Sequence, residues 1–267
     1  SNATCSLLTT HLADPTGYGR IVRDAAAGLA GVVEEAEANA QQRAIREVNV
    51  GPICVQAQSL FEALAHVQPG HVKKEWYLTQ AIGILAQQGG AKFQTIRLDS
   101  AAEAAGVNSR LDLAKATATI RQRVIESHLN NGVTVVDPHA TYIDHGVSIG
   151  QDTVIYPGTV LESGVLIGRR CAIGPFARLR SGVAVGDDSH IGNFVELVRT
   201  KIGTRVRMPH MTYLGDTTVE DEVNVGAGTV TCNYHGYEKF ETVIEDGAFI
   251  GSDTQLVAPV RVGRRAV

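Results

Sequence analysis

The chain has 267 residues, enough for one large core or two modest ones, and 44% of them are hydrophobic against 19% charged. Aromatics make up only 5% while Gly numbers 28, a composition suited to thin, repetitive β-structure. A net charge of −4 leaves no basic surplus for a phosphate backbone, and no apolar run approaches the roughly 20 residues of a membrane span, so neither nucleic acid nor membrane is expected as a partner.

Cys5, Cys54, Cys171 and Cys232 lie too far apart for a zinc site and are too few for a disulfide scaffold. With no charged-then-apolar leader, they predict a reduced, cytoplasmic protein.

In chain order, Ser1-Asn2-Ala3 reads as a remnant of expression that runs into Thr4 without a methionine. Residues 4–107 read as mixed α/β, with strands over Ser6–Leu12, Gly19–Arg23, Leu29–Glu34, Val48–Gln56 and Lys92–Leu98, and helices over Leu60–Val67 and Trp76–Gln87. Residues 108–132 read as a connector helix. Leu113, Ala116, Thr117, Ile120 and Val124 share one face, Ser109 and Asp112 suit a capping box, and Asn131-Gly132 stops the helix.

Over 133–267 a six-residue spacing takes over: Ile149, Ile155, Leu161, Ile167, Ile173, Leu179, Val185, Ile191 and Leu197 follow one another at steps of six. The frame slips by one to Ile202, Met208 and Leu214, again to Val219, Val225 and Thr231, and resumes at Ile244, Ile250, Leu256 and Val262. Strands have period 2, so a period of six means short strands joined by turns, each repeat forming one side of a coil and pointing its aliphatic residue inward. Three sides make a coil of about 18 residues, with glycines such as Gly174, Gly192 and Gly226 at the corners. The step from Thr231 to Ile244 predicts an extruded loop. Exposed ends and flanks call for caps or side-by-side association, which solenoids of this class usually meet as a trimer.

Several motifs stand on this frame: Asp14-Pro15-Thr16-Gly17-Tyr18-Gly19-Arg20-Ile21-Val22, Gly31-Val32-Val33-Glu34-Glu35, Arg46-Glu47-Val48-Asn49-Val50 and Gly106-Val107-Asn108-Ser109-Arg110 in the first part; Ile173-Gly174-Pro175-Phe176-Ala177-Arg178-Leu179-Arg180, Gly192-Asn193-Phe194-Val195-Glu196, Tyr213-Leu214-Gly215-Asp216 and Gly226-Ala227-Gly228-Thr229-Val230-Thr231-Cys232-Asn233-Tyr234 in the second. In that order the chain resembles the bacterial bifunctional N-acetylglucosamine-1-phosphate uridylyltransferase / glucosamine-1-phosphate N-acetyltransferase family over nearly its whole length. The resemblance implies a partial Rossmann-like nucleotidyltransferase piece followed by a left-handed parallel β-helix that forms a homotrimer.

It also implies roles. Gly19, Glu34, Asn49 and Asn108 would hold a UDP-N-acetylglucosamine-like ligand, and Asn108 would also help bind Mg²⁺; a helix N-cap is a compatible second role for Asn108. His210 would be the catalytic base, a task an imidazole can perform near neutral pH. Arg180 and Lys239 would grip the phosphate of glucosamine-1-phosphate, and Tyr213 and Asn224 its sugar. The backbone N–H of Ala227 would meet the thioester oxygen of acetyl-CoA, with Asn233, Tyr234 and Ser252 also contacting coenzyme A.

Departures from the family pattern qualify these roles. The sequence has no Leu-x-x-Gly-x-Gly-Thr-x-Met segment to cradle nucleotide phosphates, so uridylyl transfer is not expected. Val198 stands where the family has a phosphate-binding Lys, and Arg199 beside it should face the other way. Roughly two coils found in the family are missing between Glu162 and Ile167, and the chain stops at Val267 short of further coils that complete the coenzyme A site. The leading expectation is acetyl transfer from acetyl-CoA to glucosamine-1-phosphate. The alternatives are a silent trimeric scaffold or sugar-phosphate binding protein, and an acyltransferase for another amino sugar with residues 4–107 serving as a cap.

Overall fold

The computed structural model describes residues 3–88 and 90–267, so Ser1 and Asn2 of the expected remnant lie outside the described residues. Two compact units meet in sequence between Ala116 and Thr117. Among the described residues no helix is long and apolar enough to cross a membrane.

The first unit is a small α/β piece. Five strands, β1 (Cys5–His11), β2 (Arg20–Arg23), β3 (Leu29–Val33), β4 (Glu47–Val55) and β5 (Phe93–Arg97), form one sheet in the order β3-β2-β4-β1-β5. Only the β1–β5 pair is parallel, because two helices intervene between β4 and β5 and carry the chain back across the sheet. Helix α1 spans Ala40–Arg43, α2 spans Ala57–Leu64 and α3 spans Leu78–Gln88. Ala81, Ile82 and Leu85 of α3 lie on one helical face and are buried. Ile82 packs on Cys5, Leu7, Ile21, Leu29 and Val32, and Ala81 and Leu85 pack on Ala63 and Val67. Gly31 lets β3 approach α3 closely, since a Cβ there would stand 3.3 Å from the Cα of Gly83.

Helix α4 (Arg110–Asn130) begins at the anticipated capping box: Ser109 N–H donates to Asp112 Oδ2 at 2.9 Å and Asp112 N–H donates to Ser109 Oγ at 3.1 Å. Gly132, at φ 84°, turns the chain out of it. Of the anticipated apolar face only Val124 packs, half-buried, against the core of the β-helix. Leu113 and Ile120 are 56% and 58% exposed, while Ile125, which lies off that face, is fully buried against Val133, Val135 and Ile143 and caps the first coil of the solenoid.

The second unit is a left-handed parallel β-helix of three sides, each a column of seven strands. Partner residues on neighbouring coils are 20 apart at the first step, Thr134↔Val154, and then 18, as in Val160↔Arg178. The two frame slips shorten this to 17, as in His190↔Arg207 and Arg207↔Asn224, and the extruded loop lengthens it to 25, as in Asn224↔Phe249. The inward aliphatic positions are buried from Ile149 to Leu256, with Val262 half-buried, and the series reaches back to Ile143 and Val135. A second inward row stands two residues before each: Thr153, Val165, Cys171, Val183, Ser189, Thr200 and Val206 among them. Several of its hydroxyls are satisfied by turn carbonyls, with Thr153 Oγ1 donating to Gly168 O at 2.8 Å and Ser189 Oγ to Gly203 O at 3.0 Å, whereas those of Thr159 and Thr242 have no hydrogen-bond partner among the described residues.

Candidate functional site

One corner of the β-helix gathers three of the anticipated residues. Asn193 pairs in register with His210, and the ladder continues through Ala227 to Ser252, so these four occupy the same place on successive coils, about 4.8 Å per coil. Strands His190–Val198 and Arg207–Gly215 run unbroken through this corner. The residue after it takes a left-handed backbone, at φ 56° for Phe194 and 43° for Met211. Coils stack here without room for side chains, since a Cβ on Gly192 would lie 1.9 Å from Pro209 O.

His210 is exposed, and its Nδ1 lies 2.8 Å from Asn193 Oδ1. A carboxamide oxygen only accepts, so Nδ1 carries the ring proton and Nε2 keeps its lone pair. On the next coil, Gly226 N–H donates to Ile250 O and Gly228 N–H to Met211 O, both at 2.8 Å. Between them, the N–H of Ala227 has no backbone acceptor among the described residues. A lone-pair nitrogen and a free amide donor therefore stand one coil apart.

The adjacent side carries a charged network. Arg178 holds Glu162 at 2.7 Å, and Arg180 lies 3.9 Å from Glu162 and 3.5 Å from Glu196, which is in register with Tyr213. The hydrogen bond from Arg178, above all, holds the Glu162 carboxyl below the usual range. At the far corner Arg199 is bidentate on Asp216, at 2.5 and 2.7 Å, and Asn233 Nδ2 donates to Asp216 Oδ2 at 2.6 Å. Asp216 is lowered first by Arg199 and, more weakly, by Asn233 and Lys239. Arg199, Lys201, Asp216 and Lys239 line a cavity of about 300 Å³. Val198 is buried, whereas Arg199 faces out with φ 47°.

The structure thus brings His210, Ala227 and Ser252 together at one corner, Arg180 and Tyr213 together on the neighbouring side, and Asn233 and Lys239 together at Asp216. Asn224 lies on the side across the His210 corner, next to Arg207. Tyr234 sits in the extruded loop, its hydroxyl 2.5 Å from Gly236 O. The motifs by themselves do not single out Asn193, Glu196 or Asp216 as partners. The 17-residue coil offset, applied to His210, Tyr213 and Arg199, points to all three.

In the first unit, Asn49 N–H donates to Gly19 O at 2.8 Å, and a Cβ on Gly19 would lie 3.1 Å from Val32 and 3.6 Å from Glu34 Oε2. Glu34 accepts from Thr79 Oγ1 at 2.7 Å, and beside it the buried Arg20 pairs with Glu35 and with Tyr18 O. Tyr18 Oη accepts from Gly106 N–H at 3.1 Å, which ties the loop of Asn108 to the strand of Gly19. These residues do not make a Mg²⁺ site by themselves. The carboxylate beside Asn108, that of Asp112, accepts from Asn108 N, Ser109 N and Ser109 Oγ, and among the described residues no three His, Cys, Asp or Glu converge.

Comparison with known proteins places this geometry in a family. The bacterial transferase hexapeptide (six repeats) family matches residues 146–181 and 164–199. The bifunctional protein GlmU of Shouchella clausii (strain KSM-K16) is 41% identical over 299 residues, covering 100% of this chain and 66% of that protein. GlmU of Carboxydothermus hydrogenoformans (strain ATCC BAA-161 / DSM 6008 / Z-2901) is 40% identical over 300 residues, covering 100% and 67%. The chain spans about two thirds of the length of these relatives. Among solved structures, the acetyltransferase domain of PglB from Neisseria gonorrhoeae FA1090 is 18% identical with a TM-score of 0.39, over 61% of this chain and 69% of that one, a loose likeness. With matches at about 40% identity that cover the whole of this chain, it belongs to the bifunctional GlmU family.

Proposed function

We propose that this chain transfers the acetyl group of acetyl-CoA to the amine of glucosamine-1-phosphate, a step of UDP-N-acetylglucosamine synthesis, with His210 as general base. The pairing of His210 with Asn193 carries the reading, because it leaves Nε2 free to accept a proton. The amine nitrogen attacks the thioester carbonyl, the oxygen takes the charge beside the Ala227 N–H, and Nε2 takes the proton from nitrogen. Collapse of the tetrahedral adduct forms the amide and expels the coenzyme A thiolate. Arg180 and Lys239 would hold the phosphate, Tyr213 and Asn224 the sugar, and Asn233, Tyr234 and Ser252 coenzyme A.

Those groups lie on two sides and two corners of one β-helix, which favours a site completed by a neighbouring copy in a homotrimer. Phe176, Phe194 and Met211 support this: they are 57%, 59% and 62% exposed, two of the rings stack at 5.5 Å, and the stripe runs directly beside His210. Coenzyme A and sugar phosphates as substrates fit a cytoplasmic enzyme. Gly19, Glu34, Asn49 and Asn108 would contact a UDP-sugar; the residues around Asn108 do not by themselves form a Mg²⁺ site.

Mass spectrometry of the product with a panel of amino-sugar acceptors tests the assignment. Acetylation of glucosamine-1-phosphate that is lost in His210→Ala is expected. Turnover of other amino sugars in its place would reassign the acceptor, and binding without turnover would favour the scaffold.

A further inference from the structure

The side of the β-helix that carries Asn224 also holds a cavity of about 610 Å³, lined by Arg170, Asp188, Arg205, Arg207, Glu222 and Asn224. Its charges are paired except for one. Arg170 is bidentate on Asp188 at 2.7 and 2.8 Å, with Asp187 at 3.9 Å outside the lining, and Arg205 holds Glu222 at 2.8 Å. These pairs stack along the corner as an alternating ladder that neutralises itself. Arg207 is exposed; its backbone N–H donates to Val223 O at 2.9 Å, but among the described residues its guanidinium has neither a carboxylate partner nor a hydrogen bond. The cavity is thus lined by three guanidiniums and two carboxylates, and the surplus charge sits on Arg207.

Position ties that charge to the acetyl-transfer corner. Arg207 shares a strand with His210, three residues ahead of it, and pairs in register with Asn224 on one flank and His190 on the other. Three residues of extended chain are about 10 Å, a gap that a guanidinium stem and a hexose phosphate can bridge together. The His190 imidazole is pushed below its usual pKa by partial burial first and then by Arg207 and His210, so both of those side chains act on the same ring. A planar guanidinium with unspent donors matches phosphate oxygens in bidentate geometry, and both substrates of the proposed reaction carry phosphate.

We propose that Arg207 is a phosphate-binding residue of the acetyl-transfer site, receiving a phosphate group of the acceptor sugar or of coenzyme A in the cavity it lines with Asn224. The choice of ligand rests on the acetyl-transfer reading; the anion site itself does not. Isothermal titration of glucosamine-1-phosphate and, separately, of coenzyme A into wild type, Arg207→Gln and Arg207→Lys tests it. One ligand should bind Arg207→Gln about tenfold or more weakly, the loss of a charged hydrogen-bonding partner, with part of the affinity recovered in Arg207→Lys. Weakening confined to the sugar phosphate assigns the acceptor, and weakening confined to coenzyme A assigns the donor. Equal affinity of wild type and Arg207→Gln for both ligands would overturn the proposal. If wild type bound neither, the acetyl-transfer reading would fail, and inorganic phosphate would decide the anion site: a rise in thermal midpoint that Arg207→Gln lacks would keep it, and the same rise in both, or none, would end it.

Discussion

The tautomer of His210 is set by a residue one coil away, Asn193, and the motif His210 belongs to names only half of that pair. Replacing His210 with Ala should lower kcat about 10²- to 10⁴-fold, with little change in KM and an intact β-helix. Asn193→Ala removes one hydrogen bond to the ring and should cost about tenfold in kcat, as steady-state kinetics on both variants would show. If Asn193→Ala matched wild type, the tautomer argument would fail. His210 and Ala227 were singled out by their motifs and the structure puts them at one corner, whereas Asn193 as a partner needed the coil spacing. Val198 and Arg199 show the limit of adjacency. A frame slip falls between Leu197 and Ile202, Val198 turns into the core, and the guanidinium of Arg199 is spent on Asp216. The sequence anticipates that Arg199 faces away from Val198, but Asp216, 17 residues on, is visible only once the coils are stacked.

Each coil side was legible from its aliphatic residue, while the second inward row was not, because Thr, Ser and Cys interrupt its hydrophobic signal; hydrogen bonds to turn carbonyls offset the burial of several of them, such as Thr153 and Ser189. Helix α1 and the turn Ala101–Ala104 were missed because four residues are too few to show a period. Close stacking at the corners sets a test. Gly192→Ala drives a Cβ into the backbone of the next coil and should lower the thermal midpoint strongly, whereas Gly263→Ala, with nothing within 4 Å of the added carbon, should leave it nearly unchanged. Ile191→Ala, at a fully buried position, should cost about 2–5 kcal/mol by denaturant unfolding. Acid sensitivity belongs to this scale too. Burial, first of all, pushes the His128 and His190 imidazoles below their usual pKa in the folded state. The unfolded chain takes up protons at about pH 6.5, so stability is full above that pH and falls as pH drops from there through the depressed folded values. Melting curves between pH 7.5 and 5 should show this loss, and the double variant His128→Gln/His190→Gln should show less of it.

At the scale of the whole molecule, the two-part reading, an α/β piece followed by a β-helix, came from a change of period that composition alone could not give. The alignment with GlmU of S. clausii spans 299 positions for the 267 residues here. The relative therefore has about 32 positions without a counterpart, close to the roughly two 18-residue coils that the family resemblance implies are absent between Glu162 and Ile167. Because strands pair only with the coils beside them, such a loss leaves the remaining ladder in register. Sedimentation equilibrium should give three times the 28.4 kDa chain mass. A monomer would leave the Phe176–Phe194–Met211 stripe uncovered and Asn224 apart from Tyr213. The most direct test of acetyl transfer at the His210 corner is a mass-spectrometric assay of acetyl-CoA and glucosamine-1-phosphate with wild type and His210→Ala. N-acetylglucosamine-1-phosphate formed by wild type and nearly abolished in the variant is the expected result. Equal product from both proteins, or none from a wild type that binds both substrates, would contradict it.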